Sequence, residues 1–102
     1  MYKSKFFNMG KVVITMKINE AMRENQRFAL EVELCLKRYA VKDWSQLSET
    51  DRQSNEKALQ NPDDLYLLAA YNTCKGKIYI ITNRISEKAG DNITTVCFPD
   101  EW

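Results

Sequence analysis

A chain of 102 residues that is 44% hydrophobic and 28% charged, with only three Gly and two Pro, has the composition of one folded domain and not of a disordered or low-complexity segment. Fifteen basic residues against 14 acidic leave a formal charge of +1, which argues against both a polycation and a mimic of a nucleic-acid duplex. Histidine is absent. With it go Ser-His and Cys-His nucleophile pairs, His metal sites and the commonest general base, so composition favours binding over catalysis, with no cofactor and no metal.

The charge is unevenly spread. Residues 1–50 hold nine basic and six acidic groups, and residues 51–102 hold six and eight. Lys3, Lys5, Lys11 and Lys17 all precede the first acid, Glu20, and are interleaved with Tyr2, Phe6 and Phe7. Such a segment suits a phosphate backbone and stacked bases, and equally suits a solvated arm and strand edge. Residues 1–5 read as a flexible extension of a single domain spanning 1–102. Asn8, Gly10 and Lys11 interrupt the first apolar stretch before it forms a signal-peptide core, and the longest apolar run, residues 65–71, is far short of a membrane span. Cys35, Cys74 and Cys97 are widely spaced and odd in number, which favours a reducing compartment; all three are expected to be buried among apolar residues. These features together predict a cytoplasmic protein.

In chain order, residues 11–18, rich in β-branched side chains and following Gly10, predict a first strand. Asn19 then reads as the N-cap of one long helix ending near Ala40. Within it Phe28, Ala29, Val32, Cys35, Leu36, Tyr39 and Ala40 form a helical stripe, which leaves Leu30 and Leu34 off the stripe at i, i+4 spacing. Trp44 reads as a core plug where two helices meet. Ser48 with Asp51 resembles a capping box that opens a polar helix to Gln60, and Asn61-Pro62-Asp63-Asp64 reads as a turn. Residues 65–74 and 77–82, joined through Lys75-Gly76, predict a hairpin, and residues 93–98 a last strand. The expected fold is therefore α+β, two helices packed on a mostly antiparallel sheet of about four strands in the order β-α-α-β-β-β. The helical stripe is expected to face Leu68, Ile78, Ile80 and Val96.

Familiar chemical motifs fail on inspection. Gly10-Lys11 and Gly76-Lys77 lack both the earlier Gly and the following Ser or Thr of a phosphate loop. No acid stands two residues before any lysine, so the acid-x-Lys half of a metal-dependent nuclease motif is missing. Asn61-Pro62 has no aromatic after it and no Gly-rich cofactor loop to serve a methyltransferase, and Lys75-Gly76-Lys77-Ile78-Tyr79 fails the Gly and Phe positions of an RNA-recognition strand.

Five colinear segments do carry a resemblance. Phe7-Asn8-Met9-Gly10-Lys11-Val12-Val13, then Arg38 with Asp43-Trp44, Leu47, Asp51, Asn55-Glu56 and Ala58-Leu59, then Leu68-Ala69-Ala70-Tyr71, Lys77-Ile78-Tyr79-Ile80-Ile81-Thr82 and residues 93–102 resemble small plasmid and phage proteins often catalogued as "type I restriction endonuclease subunit M". Lys42 stands where that family usually has Gly, Tyr39 where it has His, and Asn83-Arg84 where it has acidic and aromatic residues. A modification subunit needs a cofactor fold far longer than this chain, so the catalogue label does not describe its chemistry. The resemblance implies instead an accessory protein of mobile DNA. By analogy with that setting, the expected function is a non-enzymatic anti-CRISPR inhibitor that binds the host's RNA-guided single-effector CRISPR nuclease, or its guide RNA, and interferes with guide loading or activity. The alternative is a nucleic-acid-binding plasmid accessory or antirestriction protein. The candidate contacts are the basic positions Lys3, Lys5, Lys11 and Lys17, the helix patch Leu30, Leu34, Lys37 and Arg38, and an open sheet edge.

Overall fold

Gly10 sets where the chain enters the sheet. In a computed structural model, which describes residues 4, 7, 9–60, 66–83 and 92–102, its φ is 62°. A Cβ there would stand 1.8 Å from the Asn92 carbonyl oxygen, so only glycine fits. Strand β1 (Lys11–Ile14) follows, then helices α1 (Met16–Glu24), α2 (Gln26–Ala40) and α3 (Glu49–Gln60), strands β2 (Tyr66–Thr73), β3 (Gly76–Asn83) and β4 (Ile93–Cys97), and a short 3-10 turn at Pro99–Glu101. Among the described residues this is an α+β domain with three α-helices and one four-stranded mixed sheet, ordered β1-β4-β3-β2. The two pairings that involve β3 are antiparallel, as expected of most of the sheet, whereas β1 runs parallel to β4. The expected turn at 61–64 and the loop after Asn83 lie outside the described residues.

The first strand is shorter than its β-branched run suggests. Thr15 ends it: its Oγ1 accepts from the Ile18 N–H at 3.3 Å, which makes Thr15, and not Asn19, the N-cap of α1. Met16, Lys17 and Ile18 are therefore helical, and Ile18 turns into the core. The expected single helix is likewise two. Asn25 holds extended backbone (φ −139°, ψ 106°), and its Oδ1 accepts from the Phe28 N–H at 3.1 Å, so one short polar side chain breaks α1 from α2 and caps the second.

The predicted stripe of α2 is its buried face: Phe28, Val32, Cys35, Leu36, Tyr39 and Ala40 are all buried, and each of the larger ones contributes about 1.5–3 kcal/mol of burial free energy. It packs on Ala69, Tyr71, Ile78, Ile80 and Val96. Leu68 does not belong to this set. Pairing Ala69 with Ile80 and Leu68 with Ile81 puts Leu68 on the opposite face, because a one-residue slip exchanges the two sides of a strand. The hairpin turn also shifts by one residue, to Cys74-Lys75, and Gly76 (φ 96°) opens β3.

Trp44 is buried, as the sequence predicts, and closes the core beside Tyr39 and Phe7, with ring centroids 6.1 and 6.4 Å away. A chain of buried hydroxyls crosses the same core: Tyr39 OH to Thr82 Oγ1 at 2.7 Å, Thr82 Oγ1 to Thr94 Oγ1 at 2.7 Å, and Thr94 Oγ1 to the Met9 carbonyl at 2.6 Å. Ser4, inside the expected N-terminal extension, donates to the Ala40 carbonyl at 2.6 Å. No helix among the described residues is long and apolar enough to cross a membrane.

Candidate binding surface

With its buried stripe fixed on the sheet, α2 must turn the opposite side to solvent. Leu30, Leu34 and Val41 are there, 60%, 57% and 61% exposed, and Lys37 stands between the last two. The spacing 30, 34, 37, 41 alternates steps of four and three, so Leu30, Leu34 and Lys37 form one line along the helix and Val41, its C-cap, follows in the same series. Leu30, Leu34 and Lys37 are thus brought together as expected. Val41 extends the line, and its i+7 spacing from Leu34 was available in the sequence.

Arg38 is not part of that surface. Its Nε donates to Asp43 Oδ2 at 2.9 Å, its guanidinium carbon lies 5.4 Å from the Tyr71 ring centroid, and the residue is half-buried. The Arg38 hydrogen bond, reinforced by one from Ser45, holds the Asp43 carboxyl below its ordinary range. Burial pushes the Tyr71 phenol well above its ordinary range, and its OH donates to the Asp43 carbonyl at 2.8 Å. Arg38 is thereby committed to joining the end of α2 to the loop that carries Trp44.

The basic positions are dispersed. Lys11 is exposed at the start of β1, beside the flank of α2 that carries Glu33 and Leu36. Lys17 is exposed on α1, its Nζ 3.5 Å from Asp100 Oδ2. Lys3 and Lys5 lie outside the described residues. The sheet edges also differ. Asn55 and Gln46 occupy the outer side of β2, whereas the outer side of β1 carries no such cover among the described residues.

The residues that carry the resemblance have structural work. Gly10 makes the contact that no other residue could make, Trp44 fills the core, and Arg38 and Asp43 form the corner after α2. At that corner the Lys42 N–H bonds the Tyr39 carbonyl and the Asp43 N–H bonds the Arg38 carbonyl, the two bonds of a Schellman helix stop. Lys42 occupies its left-handed position at φ 62°, a backbone conformation that glycine would adopt without strain. Its Nζ reaches Glu56 at 2.9 Å. Glu101 Oε1 accepts from Thr15 Oγ1 and from the Phe98 N–H, both at 2.9 Å, which ties the end of the chain to the start of α1.

Cys35 and Cys97 are buried, and burial pushes both thiols up. Cys74 departs from expectation: it sits exposed in the hairpin turn, where its N–H donates to Glu31 Oε2 at 3.0 Å. A hairpin tip projects beyond the sheet, and its neighbours Asn72, Thr73, Lys75 and Gly76 offer no apolar cover. Among the described residues no three His, Cys, Asp or Glu side chains group closely enough to hold a metal ion.

Comparison of the chain with protein-family models, with curated proteins and with solved structures finds no match.

Proposed function

We propose that the protein acts by binding a macromolecular partner through the outer face of α2, without catalytic turnover. The observation that carries this reading is the row Leu30, Leu34 and Val41, more than half exposed, on a helix whose opposite face is fully engaged with the core. An apolar row of this kind costs solubility and has no role in the fold, whereas desolvated at an interface it contributes affinity, with Lys37 supplying one charge for register. The engagement of Arg38, Asp43, Trp44 and Asn55 in the fold supports the same reading, since it gives these residues a purpose other than chemistry.

The partner we propose is the RNA-guided single-effector CRISPR nuclease of the host. Its identity rests on the sequence resemblance and the setting of mobile DNA, and not on the geometry of α2. A nearly neutral domain is poorly suited to imitate a long duplex but is able to cover part of a basic RNA-binding surface, so the step inhibited is guide loading. The test is DNA cleavage with the protein added before or after guide RNA. The proposal expects inhibition in the first order and weaker or no inhibition in the second; full cleavage in both orders would remove the nuclease as the target.

A further inference from the structure

Among the described residues, the outer edge of β1 presents unpaired backbone. In a parallel ladder alternate residues of a strand bond the neighbour. The Lys11 N–H donates to the Asn92 carbonyl and the Thr15 N–H to the Val96 carbonyl, so Val12 and Ile14 aim their N–H and C=O groups away from β4, and no described residue bonds them there. The other edge of the sheet is treated differently. The Asn55 side chain bonds both the N–H and the C=O of Leu68, and Gln46 Oε1 takes the Asn72 N–H. Beside β1 there is instead an open groove of about 640 Å³, lined mainly by Val12, Ile14, Met22, Val32 and Leu36, with the charged Lys11 and Glu33 also on its wall. Ile14 is 37% exposed and Met16, just beyond it, 77%.

We propose that β1 is the seam of a homodimer, paired antiparallel with β1 of a second copy about a two-fold axis through Val13. The register follows from the edge itself. Outward groups must meet outward groups, so Val12 and Ile14 pair either with each other or with themselves. Self-pairing of Val12 would bring in Gly10, where φ 62° has already turned the chain out of the strand, and self-pairing of Ile14 would need Met16, which is helical. Only Val12 opposite Ile14 of the second copy keeps every bonded residue inside a strand. That register sets Val13 against Val13 and Lys11 against Thr15, so no like charges face each other. It also puts Val12 and Ile14 of both copies on the groove side, where the exposed Ile14 and Met16 of one copy reach the apolar groove of the other. The edge is thus complementary to itself in hydrogen bonding, in apolar pattern and in charge, and pairing it removes an exposed strand that would otherwise invite aggregation.

Sedimentation velocity from micromolar to sub-millimolar concentration tests the assembly, and two variants test the seam. Val12→Pro deletes an outward N–H that no internal ladder bond uses and should give a monomer with unchanged far-ultraviolet circular dichroism. Val13→Cys in a Cys74→Ser background should form a disulfide-linked dimer on mild oxidation, because a non-hydrogen-bonded antiparallel pair holds its Cα atoms about 4.5 Å apart, within disulfide reach. Should Val12→Pro fail to fold, the cross-link decides alone. A wild-type chain that stays monomeric throughout would overturn the proposal. So would a dimer that Val13→Cys does not link, or one that Leu34→Lys dissolves and Val12→Pro leaves intact.

Discussion

Asn55 on α3 bonds Leu68 on β2 twice, its Nδ2 donating to the Leu68 carbonyl at 2.7 Å and its Oδ1 accepting from the Leu68 N–H at 3.1 Å. A side-chain amide has the same donor and acceptor as a peptide group, so Asn55 takes the place that a fifth strand would occupy at that edge. The polar sequence of α3 becomes intelligible from this. Its task is to present Asn55, and Ala58 behind it, to a strand edge, which needs only one narrow buried side. Replacing Asn55 with Ala should cost about 1–3 kcal/mol in urea denaturation, because two backbone groups of β2 lose their partner. A change within about 0.5 kcal/mol, the span of ordinary surface substitutions, would contradict the role given to Asn55.

Lys42 in the left-handed region is a local cost that glycine would not incur. Lys42→Gly removes that strain, worth about 1 kcal/mol, and also the ion pair with Glu56, worth about 0–1 kcal/mol at an accessible site. Salt separates the two effects. In 1 M NaCl the pair is screened, and the variant should exceed the wild type in stability; equal or lower stability there would show that the Lys42 backbone is not strained.

Much of this fold is legible in the sequence, and each exception has a physical cause. The buried stripe of α2, the cap at Ser48, whose Oγ accepts from the Asp51 N–H at 3.2 Å, the hairpin and the buried Trp44 all follow from spacing and local chemistry. Two element boundaries escape it where one residue serves two neighbours. Thr15 ends a strand while capping a helix, and Asn25 ends one helix while capping the next, so a run of suitable residues reads as a single element in each case. Leu68 turns to the face opposite the expected one: Leu67 and Leu68 are both apolar, and alternation alone does not say which of two adjacent leucines turns inward. The exposed row on α2 was legible as an off-stripe pair, Leu30 and Leu34, since a helix has one buried side here. Arg38 departs from its expected place on the surface because its partners, Asp43 and Tyr71, are set by the turn after α2 and by the sheet, neither of which helical periodicity reports.

Acid should weaken the corner held by Asp43. Its carboxyl titrates below the ordinary aspartate value of 3.8 because Arg38 and Ser45 bond the charged form. A depressed folded value stabilises the native state above 3.8, and that contribution is lost as pH falls through the lower folded value. Wild type should therefore be more stable than Asp43→Asn near neutrality, and the gap should close below pH 3.8. A gap that is constant with pH would show that the Asp43 charge contributes nothing.

Thiol chemistry checks the burial of three residues at once. In the native protein a small aromatic disulfide reagent should titrate Cys74, which is exposed, and leave Cys35 and Cys97 unreacted, since both are buried. In denaturant all three should react. Rapid native reaction in a Cys74→Ser variant would place Cys35 or Cys97 at the surface.

The binding reading stands on the outer face of α2, and equilibrium titration of the bare host nuclease against the protein addresses it most directly. Wild-type protein should bind at micromolar concentration or tighter and saturate at a fixed ratio. Leu30→Lys with Leu34→Lys should weaken that binding at least tenfold without altering the urea transition, because both side chains are exposed in the free protein and each lysine would carry a charge into a desolvated contact. Binding that the double variant leaves unchanged would contradict the assignment of this face, and the absence of any complex at micromolar concentration would contradict the assignment of this partner.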